Sequence, residues 1–218
     1  MKKKIKIIYE DKFIIVVDKP ANLLTIATQN EKEKTMFHQV IMYERTKNKN
    51  NKVFIVHRLD KDTSGLLLFA KTQKIKEQLQ NNWNHVLRKY IAVVEGVVEK
   101  REDTIQSYLT EEKNLMVHST SSKKGTLAIT KYKRLKTNKA YSLLEIEIKT
   151  GKKNQIRVHM KEMGHPIIGD KKYEAKTNPL KRLGLHANTL EFEHPITHQI
   201  IHLESKIPSE FTNMFSPH

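Results

Sequence analysis

A nine-residue, largely polar segment between two short apolar runs constrains this chain more than any other feature. Val53-Phe54-Ile55-Val56 and Leu66-Leu67-Leu68-Phe69-Ala70 both read as buried strands. Between them runs His57-Arg58-Leu59-Asp60-Lys61-Asp62-Thr63-Ser64-Gly65. A carboxylate in such a loop sits on a rigid base and faces solvent, a good mount for reactive chemistry. Taken by themselves, Asp60, Asp62, Thr63 and Ser64 equally suit the closing of a turn, because Asp and Ser side chains bond to nearby backbone.

The rest of the chain is strand-rich. The spacing predicts a strand over Tyr9 to Asp18, which Lys19-Pro20 breaks because Pro20 offers the ladder no donor. Further strands are predicted over Arg88 to Gly96, Thr126 to Leu135, Tyr141 to Lys149 and Thr189 to Phe192. Helical periodicity covers Thr35 to Lys47 and Thr72 to Trp83, with a short helix over Gln155 to Met163 that Gly164 ends. Many strands and few helices point to an α+β fold with a mainly antiparallel central sheet, not to alternating βαβ units.

The composition narrows the chemistry. With no cysteine there is no disulfide scaffold, thiol nucleophile or Cys-based metal site. Lys and Arg number 40 against 24 Asp and Glu, a net charge of +16 that favours a polyanionic partner. Only 7 of those cations are Arg, so each planar guanidinium invites a specific reading; Arg58 and Arg157 both lie in the motifs below. The apolar run after the basic N-terminus, Phe13 to Val17, is too short for a signal-peptide core. No segment reaches the roughly 20 apolar residues that span a bilayer. A soluble cytoplasmic protein is expected. His194, His198 and His202 are four apart, as on a helical face, but Pro195 interrupts them and no carboxylate stands at zincin spacing. No metal is expected.

His57-Arg58-Leu59-Asp60, two further residues, then Thr63-Ser64-Gly65 and an apolar strand closely resemble the catalytic motif of the RluA family of RNA pseudouridine synthases. More matches follow in order: Lys89-Tyr90 through Gly96, Thr150-Gly151 with Gln155-Ile156-Arg157-Val158-His159, Gly164-His165-Pro166-Ile167 with Gly169-Asp170 and Tyr173, and Leu185-His186-Ala187 with His194-Pro195. The resemblance spans about residues 9 to 208. It implies the pseudouridine synthase fold with an active-site cleft, and isomerisation of uridine to pseudouridine in ribosomal or transfer RNA. It further implies flipping of the target nucleotide, no cofactor, and no obligatory protein partner for what is expected to be a monomer. Because the match starts near Tyr9, a single catalytic domain over 1–218 without an S4 RNA-binding domain is expected.

Site roles follow from the same resemblance. Asp60 matches the essential aspartate and Arg157 the cation that keeps it ionised. Tyr90 matches the tyrosine that stacks against the target base; as a residue type it equally suits a half-buried strand. Ile156 matches an apolar residue lining the base pocket, and Arg58 the residue that fills the gap left by the flipped nucleotide. His57, Leu59 and Gln155 complete the expected substrate contacts, His57 orienting the loop. Whether the aspartate attacks carbon or removes a sugar proton stays open at this level. The run Lys152-Lys153-Asn154 departs from the family's Arg-Thr-His, and Asn22 stands where Gly is common. Asn is the best non-glycine occupant of left-handed backbone, so that turn is expected to survive. Lys47 to Lys52, Lys123-Lys124, Lys131 to Arg134 and Lys171-Lys172 are candidate RNA-gripping patches. A non-catalytic RNA chaperone on the same fold is the rival reading, and His57 in place of Gly favours this branch over the small-subunit synthases.

Overall fold

Asp11 divides what the sequence reads as one strand. Its Oδ1 accepts from the backbone N–H groups of Phe13 (2.7 Å) and Ile14 (2.8 Å), a turn closed by a side chain. Strands β1 (Ile7–Glu10) and β2 (Ile14–Lys19) therefore form an antiparallel hairpin, with Glu10 opposite Ile15. The single strand expected over Tyr9 to Asp18 is corrected accordingly.

The computed structural model describes residues 5–29, 31–113, 115–121 and 124–216. After the first hairpin come α1 (Met36–Lys47), β3 (Phe54–Ile55), β4 (Ser64–Ala70) and α2 (Gln73–Asn81). Strands β5 (Leu87–Glu95), β6 (Glu102–Glu111), β7 (Val117–Thr120), β8 (Thr126–Thr137) and β9 (Tyr141–Ile148) follow, with no α-helix between them among the described residues. The chain ends with α3 (Gln155–Glu162), β10 (Leu185–Glu193), β11 (Ile200–Glu204) and α4 (Ser209–Asn213). It forms two compact units, Met1–Val86 with Ala187–Ser205, and Leu87–His186 with Lys206–His218.

In the first unit β2 and β4 are antiparallel neighbours, with Ile14 opposite Ala70 and Lys19 opposite Gly65. Strand β10 lies beside β4, and β11 pairs with β10. Ile14, Val16, Leu66, Leu68, Ile75, Leu79 and Phe192 build its core. Both helices start where the sequence places them, because Thr35 and Thr72 cap them: each hydroxyl accepts the backbone N–H three residues on. Gly65 explains the end of the Thr-Ser-Gly motif. At φ +115° a Cβ there would lie 2.1 Å from the Ala187 carbonyl oxygen, so only a bare backbone lets the two segments meet.

The second unit is an antiparallel sheet in the order β5-β9-β8-β6-β7. Ile91, Val93, Leu143, Ile168 and Phe211 form one of its cores. Strands β6 and β7 were not legible in sequence, since β6 opens with the exposed residues Glu102, Asp103 and Thr104 and shows no apolar alternation. Helix α3 ends as predicted, one residue earlier than drawn, with Gly164 at φ +81°. The α+β class holds in both units.

Candidate active site

The Asp60 loop is fixed from beneath by groups of the first unit. Thr25 Oγ1 donates to the Leu59 carbonyl at 2.7 Å and accepts the Leu59 N–H at 3.2 Å, so one buried hydroxyl clamps both sides of that residue. Lys19, fully buried, sends its ammonium to the carbonyls of Pro20 (3.0 Å), Leu23 (2.7 Å) and Lys61 (3.0 Å). That bond set ties the Lys19–Asn22 turn to the loop. Asn22 does occupy left-handed backbone, at φ 62°, as expected of the residue standing in for glycine. Thr63 N–H closes back on the Asp60 carbonyl at 3.2 Å, which puts Lys61 and Asp62 at the tip of a turn.

The loop's own side chains divide in two. His57 faces inward: its Nε2 accepts the Leu68 N–H at 3.1 Å and its ring stacks on Trp83 at 4.6 Å. Leu59 is buried. Arg58 is exposed, and its guanidinium has no hydrogen bond or ion pair with any described residue. Asp60 lies half-buried between them. The loop thus leaves Arg58 and Lys61 exposed and Asp60 and Asp62 half-buried, while Leu59, Thr63, Ser64 and Gly65 are buried.

In the second unit Tyr90 is 9% exposed on β5, opposite Ile146. Arg88 stands two residues before it on the same face and is equally buried. Burial is the larger influence on its guanidinium and works against the charge, with the neighbouring Tyr90 acting the other way. Gly151 makes the space: a Cβ there would come within 2.7 Å of Arg88 Nη1. Sequence reasoning missed Arg88, although the rarity of Arg was the signal that could have found it.

Helix α3 carries three of the expected residues and turns them different ways. Gln155 is a brace. Its Oε1 accepts from Thr150 Oγ1 (2.7 Å) and Lys152 N–H (3.0 Å), while its Nε2 donates to the Ile129 carbonyl (3.0 Å) and Thr130 Oγ1 (2.9 Å). Those four bonds use the amide's two donors and two lone pairs, so it locks the start of α3 to β8. Ile156 is buried. Arg157 is 8% exposed; its Nε and Nη2 donate to the two oxygens of the buried Asp170, both at 2.7 Å, and its Nη1 to Asn154 Oδ1 at 3.3 Å. His159 is fully buried between Thr130 Oγ1 (2.8 Å) and Ser107 Oγ (3.0 Å), and burial lowers its pKa from the ordinary histidine value.

The basic patches are exposed at Lys49, Lys52, Lys131, Lys133, Lys171 and Lys172, with carboxylates near some of them. Lys47 is bound to Glu10 and Glu44, and Lys131 and Lys133 stand opposite Glu147 and Glu145 across β8 and β9. Lys123 lies outside the described residues. Of the three spaced histidines, His194 is buried with its Nε2 2.9 Å from Asp11, and His202 lies on β11 between Glu191 and Glu204. Among the described residues no group of three or more His, Cys, Asp or Glu side chains is placed to hold a metal ion. Nor is any described helix long and apolar enough to cross a membrane.

Comparison with known proteins gives one consistent answer. The family model described as RNA pseudouridylate synthase matches residues 13–162. The chain is 32% identical over 217 residues to an uncharacterized RNA pseudouridine synthase of Bacillus subtilis (strain 168), YhcT, covering 97% of this chain and 71% of that one. It is 30% identical to the ribosomal large subunit pseudouridine synthase D of Haemophilus influenzae (strain ATCC 51907 / DSM 11121 / KW20 / Rd), over 97% of this chain and 70% of the other. The solved structure of human RNA pseudouridylate synthase domain containing 4 shares the fold, with a TM-score of 0.80 at 23% identity over 95% of this chain and 90% of that one. The chain belongs to the RNA pseudouridylate synthase family, isomerases that act on RNA, and within it to the RluA type.

Proposed function

We propose that this enzyme converts a uridine of ribosomal RNA to pseudouridine, with Asp60 as the reacting carboxylate on a flipped target nucleotide. The bond from uracil N1 to C1′ breaks, the base turns, and C5 bonds to C1′; the hydrogen that C5 gives up is matched by the one N1 gains. Nothing is oxidised or reduced, so the reaction itself asks for no redox cofactor. Asp60 opens it at the sugar, by attack at C1′ or by removal of the C2′ proton, and either route needs an ionised carboxylate. Arg157 supplies the compensating positive charge, and Ile156 an apolar wall. The Tyr90 ring stacks on the base. Arg58 takes the place the base vacates, stacking on its neighbours while meeting phosphate, which offsets part of the few kcal/mol that flipping costs. Leu59, His57 and Gln155 act through the backbone they hold. The active unit is one catalytic domain working as a monomer in the cytoplasm.

The observation that carries this reading is the build of the Asp60 loop. Its backbone is clamped by Thr25 and Lys19, and it keeps Asp60 half-buried beside the exposed Arg58. Ribosomal RNA is preferred over transfer RNA because the Haemophilus relative is named for the large ribosomal subunit. The test is Asp60→Asn, measured for folding, RNA affinity and pseudouridine formation. Conversion is expected to disappear with fold and binding retained; near-normal conversion would defeat the assignment, and with it the chaperone alternative would gain. Mapping pseudouridines in a strain lacking the gene identifies the RNA, and a missing site in transfer RNA alone would overturn the ribosomal choice.

A further inference from the structure

Gly169-Asp170 and Tyr173 belong to a motif segment that the reaction outlined above leaves without a task, and the structure gives them one. Asp170 is 2% exposed and aims both carboxylate oxygens at the Nε and Nη2 of Arg157, at 2.7 Å each. Tyr173, 3% exposed, lies under the same guanidinium, with 5.1 Å from its ring centroid to Arg157 Cζ. Asn154 joins the two: its Oδ1 accepts from Arg157 Nη1 at 3.3 Å, and its Nδ2 donates to the Tyr173 hydroxyl at 3.1 Å. Tyr173 N–H in turn reaches Asp170 Oδ1 at 3.3 Å, which closes the ring of contacts. An arginine offers five N–H groups in one plane, and these bonds fix three of them while the aromatic face fixes the tilt.

Such a ring is more than a buried ion pair needs. A single carboxylate would compensate the charge, whereas an edge, a corner and a face together leave the guanidinium neither rotation nor tilt. Asn154 can sit there because it opens α3 in left-handed backbone, at φ 53° and ψ 17°, a conformation Asn tolerates better than other side chains. Its short amide both accepts from the cation and donates to the phenol, a two-ended link that carries no charge of its own. The departure from the family's histidine at this position is thus filled by a residue suited to the backbone and to both partners.

We propose that Asp170, Asn154 and Tyr173 are positioning residues that hold the Arg157 guanidinium in one orientation for the reaction. This rests on the role given to Arg157 above. Positioning predicts a loss in the chemical step and not in RNA affinity, and it predicts that the loss runs through Arg157. The assay is single-turnover conversion, with the full-length enzyme in excess, of total RNA taken from cells that lack the gene; RNA affinity is measured in parallel. Asp170→Asn keeps the shape but turns an N–H toward Arg157, and is expected to slow conversion by roughly 10²-fold, the scale of a misplaced catalytic group. Asn154→Gly keeps the left-handed backbone, removes the amide, and is expected to slow it by roughly 10-fold. Affinity should stay unchanged in both.

Arg157→Lys supplies the second axis, since an ammonium has no plane to hold. In that background Asp170→Asn and Asn154→Gly should cost nothing further, because groups acting as one unit do not add. If Arg157→Lys converts RNA as fast as wild type, the role given to Arg157 falls and the positioning role with it. Where Arg157→Lys is slow but the Asp170 and Asn154 variants are as fast as wild type, or slow conversion additively with it, only the positioning role is overturned. Should Asp170→Asn fail to fold, Asn154→Gly decides by the same two criteria. A wild-type enzyme that converts nothing in that RNA overturns both readings.

Discussion

Glu10 is held at the end of β1 by three donors, and its loss should weaken the first unit by an amount that depends on pH. Its Oε1 receives Lys47 and, at 2.6 Å, Lys71; its Oε2 receives the Tyr43 hydroxyl at 2.9 Å. Burial opposes its ionisation, but these bonds, together with that from Glu44, outweigh it and lower its pKa from 4.5 to about 2. At about 1.4 kcal/mol per pH unit that difference is worth roughly 3 kcal/mol. The side chain is 20% exposed and salt screens the pairs, so we expect about 2 kcal/mol. A carboxylate lowered on folding stabilises above its ordinary pKa, and that contribution is lost as the pH falls through its folded value. The gap between wild type and Glu10→Gln should therefore be full at neutral pH, narrow below about pH 4.5, and be nearly gone by about pH 2. Urea denaturation at steps along that range measures it. Coincident midpoints at neutral pH, or a gap that stays constant on acidification, would refute the reasoning.

Three further outcomes follow from the Asp60 loop. Gly65→Ala must place a methyl against the Ala187 backbone at positive φ, and a loss of roughly 3–5 kcal/mol, read by thermal unfolding, is expected. Lys19→Met strands three carbonyls that the buried ammonium now satisfies; about 3 kcal/mol should be lost in urea denaturation, with Asp60 activity falling in parallel. Arg58→Ala should leave stability within about 0.5 kcal/mol while RNA binding weakens and its logarithmic salt slope drops by about one. An unchanged slope would mean that Arg58 meets no phosphate.

Local signals were legible in the sequence, and partnerships across it were not. The helices after Thr35 and Thr72 showed in their periodicity, which is local, and the left-handed backbone at Asn22 followed from the family's glycine at that place. The Asp60 loop was visible because its flanking strands are wholly apolar. By contrast, Asp11 is an ordinary surface residue type until its bonds to Phe13 and Ile14 are seen, so β1 and β2 were merged. Strand β6 hid because its first residues face solvent on both sides. Lys19 looked like one more cation in a basic chain; only burial sets it apart, and burial is a property of the fold. Gln155 stood inside a motif, which spoke for substrate, whereas its amide is spent on β8.

The backbone approach at Gly65 also sets a length. One end of the segment is anchored where that glycine passes Ala187, and the other where the Asp60 carbonyl takes the Thr63 N–H, leaving room for two tip residues and no more. The stretch works as a ruler: the tip can change its letters, Lys61 and Asp62 here, but not their number. One inserted residue would swing the carboxylate off its mark without touching any side chain that the chemistry names.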